Sequence, residues 1–138
     1  MQNKLTYSIV AFIYMNLLPY LCRLPKGIDW VKQYLPDEGH LIWGLIFFHC
    51  FYSIPAVLLV ISIYTSKKYA IPFLATFLSL TIVTVCFNYN YDLTLDAQAG
   101  IGLIFMPIIA SFFGSVAFGL GHVIQYLISN NSSFAVQI

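Results

Sequence analysis

The chain has 138 residues, 60% of them hydrophobic and only 8% charged, against roughly a quarter charged in ordinary soluble domains. Its mean hydropathy of +0.84 implies more apolar surface than a water-soluble domain of this size can hide, because small domains keep a high surface-to-volume ratio. The net charge of +1, from six basic and five acidic residues, provides no patch able to neutralise several phosphates. Composition therefore argues against a nucleic-acid binder, a disordered chain and a soluble enzyme, and for an integral membrane protein with the lipid bilayer as its first partner.

A hydrocarbon core about 30 Å thick needs about 20 apolar residues in a helix. The first candidate span, 5–21, follows Lys4 as a secretory signal would. No small-x-small cleavage site follows it, and Leu21 ahead of Cys22 spoils a lipoprotein site, so it reads as a retained membrane helix with Asn16 inside. The connection from Arg23 to His40 carries Lys26, Asp29, Lys32, Asp37 and Glu38. Ile28, Val31 and Leu35 stand at helical spacing beside Trp30 and Tyr34, which predicts a short amphipathic interfacial helix ended by Pro36.

The second span, 41–64, holds an interior Pro55 and places His49 beside Cys50 near mid-depth. A neutral imidazole there serves a cross-helix hydrogen bond, a proton relay or a metal. The turn Thr65-Ser66-Lys67-Lys68 makes the third span, 69–87, an antiparallel neighbour, with Pro72 near its start. Cys22, Cys50 and Cys86 fall in different segments without CxxC spacing and read as small apolar packing residues. Asn88, at the edge of the third span, is another polar candidate at membrane depth, and the connection it opens, 88–100, carries Asp92 and Asp96 but no basic residue. Asp96 suits the N-cap of the last helix. Together with Asp92 it forms an acidic rim that would attract a cation or a basic partner.

The last span, 101–128, is long enough to require tilt, a kink at Pro107 or projection past the bilayer. His122 and Gln125 lie deep within it. Ser111, Ser115 and Gly119 form one four-residue ladder, while Ala110 with Gly114 and Ala117 with Gly121 form others; such ladders let helices approach closely, within the bundle or across to another chain. The tail, 129–138, reads as loose.

The opening Asp96-Ala97-Gln98-Ala99-Gly100 followed by Ile104-Phe105-Met106-Pro107-Ile108 resembles a feature of short bacterial inner-membrane proteins, in which a D-A-Q-A-G-like opening leads into an apolar helix with Pro-Ile a few residues on. The resemblance implies a four-helix protein of a bacterial inner membrane and brings no activity with it.

The expected fold class is thus all-α: four transmembrane helices in a single domain, plus the short helix of the first loop. Basic residues balance three against three across the membrane; the very short Lys67-Lys68 turn favours both termini in the cytoplasm. No nucleophile elbow, phosphate loop, zinc motif or dinucleotide fingerprint is present, so no catalytic residue, metal or cofactor is expected. The leading functional expectation is a non-enzymatic protein acting through helix–helix contacts, as an accessory or regulatory subunit or an immunity-type protein. It would form a homo-oligomer or bind a membrane partner through Ser111, Gly114, Ser115 and Gly119, together with the acidic rim. The alternative is a small oligomeric transporter or channel, with Pro55 and Pro107 opening a cavity lined by His49, Asn88 and Gln125.

Overall fold

The computed structural model describes residues 2–35, 41–66, 70–94 and 99–134. Among these the architecture is all-α: α1 (Gln2–Leu21), a 3-10 turn (Leu24–Lys26), α2 (Ile28–Lys32), α3 (Leu41–Thr65), α4 (Ile71–Asn90) and α5 (Ala99–Phe134). The four long helices are each long and apolar enough to cross a membrane. At 1.5 Å per residue, α1 and α4 are about 30 Å long, α3 about 38 Å and α5 about 54 Å.

The helices run up and down in turn. Arg23, just past α1, meets the C-terminal end of α4, while Lys4 near the start of α1 meets the end of α3. The most extensive interface is between α4 and α5, followed by α1 on α3. Small residues on α5 make the first of these possible. Gly114 lies under Leu80 and Leu58, and at Gly121 a Cβ would stand 2.7 Å from the Pro72 Cα, so the two backbones touch there. Met15, Leu18, Ala56, Leu59, Leu80 and Ala110 fill the core between the helices.

Polarity is arranged opposite to that of a water-soluble domain. Trp43 is 75% exposed and Ile42 70%, while Ser62, Thr76 and Asn88 have no accessible surface. Two of the buried hydroxyls are satisfied within their own helices, Ser62 donating to Leu59 O and Thr76 to Pro72 O, each at 2.7 Å, whereas the buried Thr84 hydroxyl has no partner among the described residues. An apolar exterior of this kind suits lipid, where internally hydrogen-bonded helices leave no backbone group wanting.

Several sequence expectations change. α2 has only five residues, and Ile28 and Leu35 remain exposed while Tyr34 is buried, so an aromatic ring rather than the aliphatic stripe holds this segment to the bundle. α5 continues to Phe134, into the stretch expected to be loose. Pro19, Pro55 and Pro107 lie inside continuous helices and, with Pro72, face inward. Cys50 and Cys86 are exposed rather than packed. Pro36, Lys67, Lys68 and the Asp96 cap lie outside the described residues.

Candidate functional site

The densest polar cluster closes the end of the bundle where α1 and α4 finish, and its centre is Arg23. A charge just past a span is expected to reach for water, yet this side chain is fully buried. Its Nε donates to Trp30 O at 2.7 Å. Its Nη1 donates to Asn88 O at 3.2 Å and Tyr91 O at 2.8 Å, and its Nη2 to Gln33 Oε1. The guanidinium also stacks on the rings of Tyr34, 4.1 Å from the centroid, and Trp30, 4.9 Å.

Position explains this. The last carbonyls of a helix lack intrahelical partners and carry its negative end. Arg23 follows the C-terminus of α1 directly and caps the C-terminus of α4 with two N–H groups. Among the described residues the one side-chain ion pair is the exposed Lys32–Asp29 contact, so the buried cation is compensated by carbonyl dipoles and aromatic faces. Gln33 extends the network: its Oε1 also accepts from Leu93 N, and its Nε2 donates to Asp92 Oδ1 at 3.1 Å. Asp92 Oδ1 further accepts from Thr94 N and Thr94 Oγ1. Those two bonds from Thr94, helped by Gln33 and the charge of Arg23, hold the carboxyl below its ordinary value of 3.8.

Asn88 is the second hub. Its Oδ1 accepts from the phenols of Tyr34 at 2.6 Å and Tyr52 at 2.7 Å, while its Nδ2 donates to Thr84 O at 2.7 Å. One side chain of α4 thereby joins α3 and the α2 segment. Burial pushes the Tyr34 phenol up to about 12, against the opposing influence of Arg23, which keeps it a neutral donor at physiological pH.

The residues singled out from the sequence do not converge. His49 Nδ1 stands 3.2 Å from Asn16 Oδ1. Because Asn16 Nδ2 already donates to Phe12 O, the imidazole is the donor in a single α1–α3 link. His122 packs edge-on against Phe118, with ring centroids 4.6 Å apart. Gln125 is buried, with its Oε1 unpartnered. Asn88 belongs to the Arg23 network, and none of His49, Asn88 and Gln125 lines either main cavity. The expected shared cavity is thus replaced by separate contacts, each satisfied locally except at Gln125. Of the expected acidic rim, Asp92 is hydrogen-bonded to Gln33 and Thr94, and Asp96 lies outside the described residues. The ladders of α5 divide, with Gly114 packed inside, Ser111 half-buried, and Ser115 and Gly119 exposed; a Cβ on Gly119 would meet nothing within 4 Å.

Sequence reasoning counted Arg23 as a loop charge, placed Tyr34 only alongside the interfacial helix, and passed over Gln33 and Tyr52. A signal existed for Tyr52: it is a phenol well inside a span, far from the interfacial belt that accounts for tyrosines at span ends. Chemically, the cluster holds elements together. Among the described residues no group of three His, Cys, Asp or Glu side chains is placed to hold a metal. Comparison of the chain with protein-family models, with curated proteins and with solved structures found no match.

Proposed function

We propose that this chain is a non-catalytic integral membrane protein acting through helix–helix contact in the plane of the bilayer, as an accessory or regulatory subunit or an immunity-type protein. In this reading it sits in a bacterial inner membrane, as the opening of α5 implies by resemblance, with both termini cytoplasmic. One observation carries the proposal. The best-connected polar groups of the bundle, Arg23 and Asn88, are turned on their neighbours, whereas α5 keeps Ser115 and Gly119 on its outer face with open space above the glycine. Small residues on an exposed helix face let a second helix approach closely. The partner is a second copy or another membrane helix. The transporter alternative needs a polar path to mid-membrane, whereas Arg23 and Asn88 are engaged with their neighbours and His49 is bonded to Asn16.

The test is co-purification from mild detergent, with in-membrane cross-linking of the same samples. Gly119→Leu and Ser115→Leu should abolish association while leaving the helix content unchanged and the unfolding midpoint no lower than that of the wild type. Gly114→Leu should instead damage the bundle itself, because that glycine lies under Leu80 and Leu58. A strictly monomeric, partnerless protein whose Gly119→Leu variant behaves as wild type would refute the reading.

A further inference from the structure

The half of the bundle remote from Arg23 contains the larger cavity, about 600 Å³. It is a groove between α1 and α4, walled by Val10 and Ala11 on one side and Phe73 and Phe77 on the other, with Leu59 and Ile63 of α3 as its floor. At its deep end the walls meet. Tyr14 Oη and Thr81 Oγ1 are hydrogen-bonded at 3.2 Å, and the rings of Tyr14 and Phe77 lie 5.4 Å apart. At its other end lie Lys4 and Ser66. The result is a blind apolar slot, closed at mid-bundle and headed by a cation.

The size is that of a small-molecule site, but the lining fits hydrocarbon rather than a polar metabolite. Ser66 Oγ is already occupied in accepting from Phe73 N at 3.0 Å. Among the described residues Lys4 makes two long contacts, to Tyr64 O at 3.5 Å and over the Tyr64 ring at 5.9 Å, and an ammonium has three donors to place. The charge around the opening has one sign. Lys4 is the one charged side chain among the described residues that line the groove, and in the sequence Ser66 is followed by Lys67 and Lys68. Basic openings between membrane helices bind anionic lipid head groups.

We propose that this groove holds one acyl chain of an anionic phospholipid whose headgroup phosphate rests on Lys4. The claim requires only that the chain resides in a bilayer, and it stands or falls separately from any contact made by α5. The experiment reconstitutes the full chain into nanodiscs of equal phosphatidylglycerol and phosphatidylcholine with identical acyl chains, then reads retained lipid by native mass spectrometry. The expected result is one lipid retained per chain, with phosphatidylglycerol favoured about fivefold, the effect of one lysine near an anionic surface. Lys4→Gln should bring the two lipids toward parity. Val10→Trp, which fills the groove from an exposed position, should lower retention of both, whereas Ile9→Trp, exposed but outside the groove, should not. Unfolding midpoints confirm that the variants fold. Equal retention of the two lipids by the wild type, or Val10→Trp retaining as much lipid as Ile9→Trp, would overturn the proposal.

Discussion

Replacing Arg23 by methionine removes the cation at the centre of the polar cluster while keeping an unbranched side chain of comparable length. Hydrogen bonds to a charged group contribute about 1.5–3 kcal/mol each after exchange with water. The bonds to Trp30 O and Gln33 stay within one chain segment and tie together residues already close in sequence. The bonds to Asn88 O and Tyr91 O join α1 to the end of α4 and set the main effect. Those two contribute about 3–6 kcal/mol together, and a buried methionine side chain returns roughly 2 kcal/mol of hydrophobic burial. The difference is about 1–4 kcal/mol, so Arg23→Met should destabilise the fold by about 2–3 kcal/mol, the middle of that range. Arg23→Lys keeps the charge and one carbonyl bond but loses the planar stacking on Tyr34 and Trp30, so about 1–2 kcal/mol is expected. The assay is titration of the detergent-solubilised protein with SDS, followed by helical circular dichroism and by the emission of Trp30, which lies against the guanidinium. Buried ionic groups in some proteins are replaced by apolar ones at no cost. An Arg23→Met midpoint at or above that of the wild type would place this protein among them and refute the capping argument.

Asn88→Leu leaves the phenols of Tyr34 and Tyr52 without their acceptor and should cost about 3 kcal/mol in the same titration, against about 1 kcal/mol for Tyr52→Phe. Gly121→Ala forces a Cβ against the Pro72 backbone and should destabilise by about 1–3 kcal/mol. Gly119→Ala meets open space and should stabilise α5 by up to about 1 kcal/mol, with both changes read as shifts of the unfolding midpoint. Because the Asp92 carboxyl is held below 3.8 when folded, its contribution is present above that pH and is lost as pH falls through the lowered value. Asp92→Asn should accordingly lower the midpoint at neutral pH and match the wild type well below 3.8. Ala70 stands in the left-handed region, at φ 49°, a conformation that strains any residue with a Cβ; Ala70→Gly should raise the midpoint by about 1 kcal/mol.

Local information carried the architecture a long way. A run of apolar residues long enough for a bilayer is a property of neighbouring positions, so the long helices follow the expected spans closely. The ladder of Ala110 and Gly114 was visible for the same reason: residues four apart share a helix face whatever that face meets. Asn16, His49 and Asn88 stood out because polar groups are costly at that depth. Their partners did not, since a single span does not show what lies across from it. Gly114 and Gly119 illustrate the limit. Both are small residues on α5, and only the position of α4 makes one an internal contact and leaves the other facing out.

Residue order alone therefore determined the number, approximate bounds and apolarity of the long helices, because hydrophobic runs and backbone satisfaction within a helix depend on nearby residues. Tertiary structure decided where the charge of Arg23 goes. The carbonyls it caps lie 65 and 68 residues away, and a cation beside two helix ends becomes a buried link only once those ends are brought together.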